Sequence, residues 1–203
     1  LTHSPRSGRG GGIAVIYREA YKVRKSNLKD ISSFEHQITV LTFPSQTLIV
    51  TCIYFPHGYD SVDHEEVCKL LDHLQTLKGY HLIVGDLNVH VNNPTDSIAI
   101  KFKELRERYN LIQHVKIPTH RAGNTLDLVL SHDDLAVSNI RTDHSVPSDH
   151  YAVLFEVSVP PPPAEKRTVT YRKWASVDVP GKFKQDVISG FDSFSPTCVT
   201  EAV

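Results

Sequence analysis

Three short segments of the sequence carry side chains that could do chemistry on a phosphate group. They are Gly85-Asp86-Leu87-Asn88, the run Thr125-Leu126-Asp127-Leu128-Val129-Leu130-Ser131, and Ser148-Asp149-His150. Each segment places a carboxylate just beside or inside an apolar, strand-like run. Together they supply three aspartates, one asparagine and one histidine, a set suited to hydrolysing a phosphodiester with a divalent metal.

Asp86 and Asn88 belong to the first of these segments, which follows an apolar run. Residues two apart on an extended backbone point the same way, so both side chains can face one site. Gly85 before them lets the backbone turn and come close to a substrate. The pair predicts a water-orienting base at Asp86 and a neutral donor to a phosphate oxygen at Asn88. The alternative is an Asx turn that caps the strand.

Asp127 lies among apolar residues, where a carboxylate is costly to bury unless it is paired. We expect it to accept a hydrogen bond from an imidazole and to fix its tautomer, unless it is an edge-strand residue that faces water. His150, which follows Asp149 just before a strand, is the best partner among the twelve histidines, and His90 is the competing candidate. Tyr54 ends a strand and can either donate to a phosphate oxygen or pack as a half-buried aromatic.

The elements that must position these side chains follow from the apolar periodicity. Strands are predicted at 13–17, 38–43, 48–54, 80–84, 125–130, 135–141 and 151–157, and helices at 62–78 and 96–109. The apolar stripe of the first helix consists of Val67, Leu70, Leu71, Leu74 and Leu77, and that of the second of Ile98, Phe102, Leu105 and Tyr109. This order predicts an α/β fold in which two packed sheets form a β-sandwich flanked by helices.

Length and proline content indicate one domain with a tail. The chain has 203 residues, and the four consecutive prolines at 160–163 cannot continue a sheet. We expect a domain over residues 1–159. Residues 160–203, with the lone Trp174 and no strong period, are expected to form a proline-rich linker and the start of a following region. The glycine-rich segment 8–12 is expected to be a flexible lead-in, because no strand precedes it and no Gly-Lys-Ser/Thr follows it.

Composition narrows the class of protein further. The formal net charge is −1, but residues 1–30 hold seven Lys or Arg against two acids, which suits a polyanion-binding edge or a solvated arm. The three cysteines lack CxxC spacing, which favours a reducing, intracellular location, nuclear or cytoplasmic, over a disulfide framework or zinc site. No apolar run approaches the roughly 18 residues of a membrane span. The chain starts at Leu1 and contains no Met, so we expect an internal segment of a longer protein.

The three segments, in this order, resemble the endonuclease/exonuclease/phosphatase superfamily. The narrower resemblance is to the endonuclease domain of non-LTR (LINE-type) retrotransposon polyproteins. It is carried by Arg-Gly-Gly-Gly-Ile-Ala-Val at 9–15, Pro-Thr-His-Arg-Ala-Gly-Asn at 118–124 and Pro-Ser-Asp-His at 147–150. The resemblance covers residues 8–157, and the tail from Arg167 is similar to the segment that joins such a domain to the reverse transcriptase.

The resemblance implies a four-layer sandwich and a hydrolase that nicks DNA for retrotransposition. Its cofactor would be Mg²⁺, with Mn²⁺ as a substitute, and its partners DNA and the reverse-transcriptase region of a parent polyprotein. By matching motif, Asp86 would orient or deprotonate the attacking water. Asn88 and Tyr54 would bind the scissile phosphate.

The resemblance also implies roles for the remaining side chains. Asp149 would be a metal ligand within the metal and phosphate network. His150 would stabilise the charged phosphate, and Asp127 would orient His150. Thr119 would be a substrate contact.

This chain also departs from the family pattern. Family members begin with a strand bearing an Asn, and a Glu metal ligand follows before the glycine-rich segment. Both are missing here, and Glu19 and Glu35 do not match the motif. We therefore expect a sandwich lacking its first strands and weak Mg²⁺ binding, because Mg²⁺ relies on few protein carboxylates. Two alternatives follow: an inactive remnant that only binds nucleic acid or a partner, and a phosphatase of the same fold.

Overall fold

The computed structural model describes residues 1–4, 11–26, 28–56, 59–145, 147–160 and 181–192. The helices are α1 (Ser61–Thr76), α2 (Ser97–Arg108) and α3 (Lys182–Asp192). The strands, in chain order, are β1 (Thr2–Ser4), β2 (Ile13–Val15), β3 (Lys22–Ser26), β4 (Glu35–Thr42), β5 (Thr47–Tyr54), β6 (Tyr80–Asp86), β7 (Ile112–Gln113), β8 (Asp127–Ser131), β9 (Ala136–Asp143) and β10 (Ala152–Ser158).

A six-stranded sheet forms the centre of the first unit, in the spatial order β3-β4-β5-β6-β8-β7. Its neighbouring strands are antiparallel except for β5 and β6, which run parallel. Helix α1 makes the crossover between those two strands, as a parallel pair requires. β5 and β6 therefore end at the same edge of the sheet, and β8, which runs the other way, begins there.

Helices α1 and α2 cover one face of this sheet. α1 is preceded by a capping box in which the Asp60 side chain accepts from the N–H groups of Val62 and Asp63, while the Asp63 carboxylate accepts from the Asp60 N–H. The predicted stripe of α1 is confirmed, since its first four members are buried and the last, Leu77, is partly buried. The capping box thus fixes the start of the helix, and apolar packing fixes its face.

The buried face of α2 differs from the predicted one at a single position. Ala99, Phe102, Leu105 and the following Tyr109 are buried, but Ile98 is 36% exposed. Successive helical residues are rotated by about 100°, so a face centred on Phe102 and Leu105 takes Ala99 and leaves position 98 at its margin. The prediction that Ile98 belongs to the buried stripe is therefore wrong.

Two pairs of strands pack on the opposite face of the sheet. β9 pairs antiparallel with β10, and their apolar side chains, such as Val153 and Val157, pack against Leu48 and Leu82 of the sheet. β1 pairs antiparallel with β2, and the Gln37 amide on β4 donates to the Thr2 hydroxyl at 2.8 Å. The predicted α/β class, a sandwich flanked by helices, is confirmed.

Most predicted strands are present with small changes in their bounds. The two sheet strands that were missed, β3 and β7, and the first strand, β1, are short or lack an apolar period, so they carry little local signal. The strand predicted at 13–17 ends at Val15, and the one predicted at 125–130 starts only at Asp127. The latter change matters for the candidate site, because it places Asp127 at the very start of β8.

The chain divides into two units, Leu1–Pro162 and Pro163–Val203. The second unit contains α3, an 11-residue helix that the sequence did not predict. Residues 161–163 of the proline run, Trp174 and the glycine-rich residues 8–10 lie outside the described residues. Within the described parts of the chain, every helix is too short or too polar to cross a membrane.

Candidate active site

A row of polar side chains crosses one end of the central sheet. It consists of register partners on four neighbouring strands, which are Glu35, Tyr54, Asp86 and Asp127. Register partners on adjacent strands point to the same face of a sheet. One row further along, this face carries apolar residues of the sandwich core such as Val84. Apolar packing therefore fixes the strands, and their ends present polar groups to solvent.

The backbone turns sharply where β6 ends. Gly85 has φ +144°, and a Cβ at this position would overlap the carbonyl oxygen of Ile53 on β5, so only glycine fits. Asn88 has φ 51°, and its N–H donates to Oδ1 of Asp86 at 3.0 Å. This is the Asx turn that the sequence left open, and the prediction of an extended backbone from Asp86 to Asn88 is wrong, because β6 ends at Asp86 and Asn88 is left-handed. The turn holds the Asp86 carboxylate in place and leaves the other oxygen, Oδ2, facing His150.

The imidazole of His150 lies between two carboxylates. Its Nδ1 is 2.9 Å from Oδ2 of Asp127, and its Nε2 is 4.0 Å from Oδ2 of Asp86. All three side chains are half-buried. The short contact fixes the orientation of the ring, so that the second nitrogen is directed toward the carboxylate at the end of β6. The structure thus brings together the Asp–His pair expected from the sequence.

The two carboxylates change the proton affinities at this site. Burial and, after it, the charge of Asp127 raise the pKa of the Asp86 carboxyl. Burial alone would lower the pKa of His150, but the hydrogen bond to Asp127 and the charges of Asp127, Asp86 and Asp149 outweigh it and raise that pKa. Asp86 therefore accepts a proton more readily than an ordinary carboxylate, and His150 keeps its proton to higher pH.

Asp149 lies on the exposed rim of the site, with 55% of its side chain accessible. Its Oδ2 is 3.4 Å from Nε2 of His120. Its own backbone N–H and, after it, the His120 side chain lower the pKa of its carboxyl. Sequence reasoning assigned no role to His120. The one available signal was its place in the segment 118–124, which carried the resemblance.

Thr119 anchors the start of β8. Its side chain is 0% exposed, and its hydroxyl oxygen accepts from the backbone N–H groups of Leu126 at 2.9 Å and Asp127 at 3.0 Å. A hydroxyl oxygen that is buried and accepts two hydrogen bonds has no surface to offer a ligand. This argues against the substrate contact expected for Thr119. The side chain instead fixes where the backbone enters β8, and so where Asp127 lies.

Asn88 and Tyr54 lie at the same end of the sheet. The Asn88 side-chain amide is 3.5 Å from the carbonyl oxygen of Phe55, a long contact that leaves most of its hydrogen-bonding capacity available. Tyr54 is the register partner of Asp86 and shares its face. Tyr54 is therefore a cross-strand neighbour of Asp86, and the Asn88 amide contacts the residue that follows Tyr54.

The competing histidine, His90, and one acidic residue of the polar row, Glu35, lie away from this centre. Nδ1 of His90 is 3.9 Å from Oδ2 of Asp96, the residue that caps α2. His90 therefore contacts the start of α2. Glu35 is part of the polar row, but it is two strands from Asp86, about 10 Å at the usual spacing of strands. Asp127 has its partner in His150 instead.

The donor atoms of the site fit a divalent cation. Two overlapping groups offer ligand atoms within 4.8 Å of one another: Asp86, Asp127 and His150, and His120, Asp149 and His150. Carboxylate oxygens are the ligands that hard divalent cations prefer. Ionised Asp86 is disfavoured by burial and by the second carboxylate, and a bound cation would remove that penalty. Asp86 belongs to the first group and Asp149 to the second.

A cavity of about 610 Å³ lies elsewhere, between the start of α1 and α2. Tyr59, His64, Ile98 and Arg108 are among its lining residues, and none of the polar side chains of the sheet end lines it. The chemistry-bearing groups are instead grouped at the open end of the sheet, where an extended polymer could approach. We therefore place the candidate active site at the sheet end and not in this cavity.

The architecture and the Asp–His–Asp arrangement define a class, the endonuclease/exonuclease/phosphatase superfamily. Within it, the chain belongs to the endonuclease-reverse transcriptase family, whose model matches residues 48–154, more than half of the 203 residues. This membership supports nuclease or phosphodiesterase-type hydrolysis in general. No curated protein matches the sequence significantly.

Solved structures share the fold at low sequence identity. The endonuclease domain of TRAS1, described as a telomere-specific non-LTR retrotransposon, is 14% identical, with a TM-score of 0.59 over 69% of this chain and 68% of that one. The human Nocturnin catalytic domain is 17% identical, with a TM-score of 0.50 over 68% and 59%. An endonuclease/exonuclease/phosphatase family protein from Leptotrichia buccalis C-1013-b is 11% identical, with a TM-score of 0.50 over 68% and 72%. At these identities the likeness establishes the fold alone.

Proposed function

We propose that this protein is a metal-dependent endonuclease that hydrolyses phosphodiester bonds of DNA at the end of the central sheet. One observation carries the proposal. His150 is held by Asp127 at 2.9 Å so that its other nitrogen faces Asp86, 4.0 Å away. A proton acceptor and a positively charged donor thus face one small space, which suits attack of water on a phosphate.

The proposed step assigns each side chain one task. Asp86 orients the water and takes a proton from it as the water oxygen bonds to phosphorus. The P–O bond to the leaving oxygen then breaks, and that oxygen takes a proton from solvent. Protonated His150 donates from Nε2 to a phosphate oxygen and stabilises the developing charge, while Asn88 and Tyr54 donate to the remaining oxygens.

The metal of the proposal is Mg²⁺, or Mn²⁺ in its place. Asp149 is the residue that would hold it, since its carboxylate is exposed at the rim of the site. When bound, such a cation supplies positive charge to the phosphate oxygens. The protein's own contribution is to align Asp86 with Asp127 by the pairing of β6 with β8, while the 2.9 Å contact of His150 with Asp127 places the imidazole.

The proposed substrate and partners follow from the family. The matching family couples endonucleases to reverse transcriptases, and the similar TRAS1 domain comes from a non-LTR retrotransposon. We propose that residues 1–159 are the catalytic domain and that residues 160–203 lead toward a reverse-transcriptase region of a parent polyprotein. DNA would then be nicked to begin retrotransposition.

A plasmid assay tests the proposal. Residues 1–203 are incubated with supercoiled plasmid and Mg²⁺, beside EDTA, Asp86→Ala, His150→Ala and the control His73→Ala on α1. We expect nicking that EDTA, Asp86→Ala and His150→Ala abolish and that His73→Ala preserves. Nicking that survives both site substitutions in folded proteins would refute the assignment of the site.

The two alternatives give different results in parallel assays. A same-fold phosphatase would release phosphate from phosphomonoesters without nicking plasmid, and duplex DNA would not compete. An inactive remnant that only binds would hydrolyse neither substrate although circular dichroism shows it folded. Either result would replace the endonuclease proposal.

A further inference from the structure

His120 contacts two side chains of the candidate site and has no role in the step above. We propose that it is a positioning residue, which holds the carboxylate of Asp149 and the ring of His150 in their working places. This inference rests on the proposed function, since it explains how that site keeps its geometry.

The backbone fixes His120 opposite His150. The two residues form an isolated antiparallel bridge. Two backbone hydrogen bonds flank it, from the Arg121 N–H to the Asp149 carbonyl at 2.8 Å and from the Tyr151 N–H to the Thr119 carbonyl at 2.7 Å. Because Thr119 is itself buried, the His120 ring projects from an anchored backbone. Such an anchor can hold other groups in place.

Hydrogen bonding determines the tautomer of His120. Its Nδ1 accepts from the backbone N–H of Ala122 at 3.1 Å, so this nitrogen carries no proton. The proton of the neutral ring is then on Nε2, which is 3.4 Å from Oδ2 of Asp149. The His120 side chain is 21% exposed and that of Asp149 is 55% exposed. The more buried group therefore orients the more exposed one.

The same ring also packs against His150. The two ring centroids are 4.9 Å apart at an interplanar angle of 72°, an edge-to-face contact. Asp127 holds one nitrogen of His150, and His120 limits rotation of the ring about that hydrogen bond. Nε2 of His150 then stays directed at Asp86. Loss of the contact is expected to misplace this nitrogen without removing any reacting group.

Two substitutions separate positioning from a merely structural role. His120→Leu keeps the volume and removes the Nε2–H donor, whereas His120→Gln keeps a donor at the end of the side chain. We expect His120→Leu to lower kcat for plasmid nicking about 10- to 100-fold, the usual effect of removing a residue that orients a ligand. KM for DNA should stay nearly unchanged, and His120→Gln should restore part of the rate. His144→Leu is the control. The His144 ring stacks on the Tyr151 ring, with 3.7 Å between the ring centroids, and His144 has no task in the proposed step.

Two further measurements do not depend on nuclease activity. Long-range ¹H–¹⁵N correlation spectra of the imidazoles report which nitrogen of His120 is protonated, and we expect Nε2. Calorimetric titration with Mg²⁺ should show an affinity about tenfold weaker in His120→Leu, at an unchanged urea midpoint. If wild-type protein binds Mg²⁺ but does not nick, the proposed function fails while these readouts still decide the role of His120.

Several outcomes would overturn the inference. One is a protonated Nδ1 on His120. Another is a His120→Leu protein with the wild-type rate and Mg²⁺ affinity. A third is an equal loss in the Leu and Gln variants that is accompanied by a lower free energy of unfolding, since that pattern describes a loop histidine needed only for folding.

Discussion

Replacing Asp127 with asparagine tests the hydrogen bond on which the site depends. The Asp127→Asn substitution keeps an oxygen that can accept from Nδ1 of His150 at the observed 2.9 Å, but it removes the negative charge. A hydrogen bond to a charged group contributes about 1.5–3 kcal/mol, and one between neutral groups about 0.5–1.5 kcal/mol. The expected loss is therefore about 1–1.5 kcal/mol, if the geometry is kept.

This loss has two measurable consequences. The pKa of His150, which is raised in the native protein, should fall, because the substitution removes the Asp127 charge that favours the protonated imidazole. The rate of plasmid nicking should fall about tenfold for the same reason. Asp127→Ala, which leaves no acceptor, should cost more than Asp127→Asn in both measurements.

The raised pKa of His150 also fixes the direction in which the stability of the fold changes with pH. Because its pKa is raised on folding, protonated His150 stabilises the fold below its unfolded pKa of about 6.5, and this stabilisation is lost as pH rises through the native pKa. Urea unfolding should therefore show a larger difference between wild type and Asp127→Asn at about pH 5.5 than at about pH 8.

NMR titration of His150, urea unfolding and nicking kinetics together check the prediction. Asp133→Asn is the matched control, since Asp133 is an exposed aspartate just beyond the far end of β8. An unchanged pKa of His150 in Asp127→Asn, or a stability difference that grows with pH, would show that Asp127 does not hold the imidazole.

Three further predictions follow from the geometry of the same sheet end. Gly85→Ala should lower the free energy of unfolding in urea by more than about 3 kcal/mol, because the new Cβ adds backbone strain and overlaps a backbone carbonyl. The control Gly123→Ala, at φ +84° with open space around it, should cost only about 1–2 kcal/mol. Equal costs would contradict this reasoning. Thr119→Val should cost about 2–5 kcal/mol, since two backbone N–H groups lose a buried acceptor, and a loss under about 1 kcal/mol would show that water replaces the hydroxyl. Asp86→Asn should lower the rate of nicking at least about 10²-fold. The same substitution should raise the free energy of unfolding of the metal-free protein at about pH 7, because the raised pKa of Asp86 means that its ionised form destabilises the fold. This gain in stability should vanish below about pH 4. A destabilised Asp86→Asn protein at neutral pH would show that the carboxylate is not disfavoured there.

The sequence by itself determined where the elements lie and which side chains carry the chemistry. The apolar stripe of α1 and the apolar runs of β4 and β5 are local patterns, and the helix and strands formed within three residues of the predicted bounds. Asp86 was identified from its place at the end of an apolar run, and His150 because it follows Asp149 just before a strand. Asp127 was identified because a carboxylate among apolar residues needs a partner. Those signals depend only on neighbours along the chain.

Only the tertiary structure decided how these side chains meet. The alignment of Tyr54, Asp86 and Asp127 depends on the register of β5, β6 and β8, and a shift by one residue would turn each side chain to the other face. The contact of His120 with Asp149 joins two segments that lie 29 residues apart in the chain. Hydrogen bonds between such distant segments leave no periodic pattern in the sequence, because each is satisfied by a partner that local spacing does not specify.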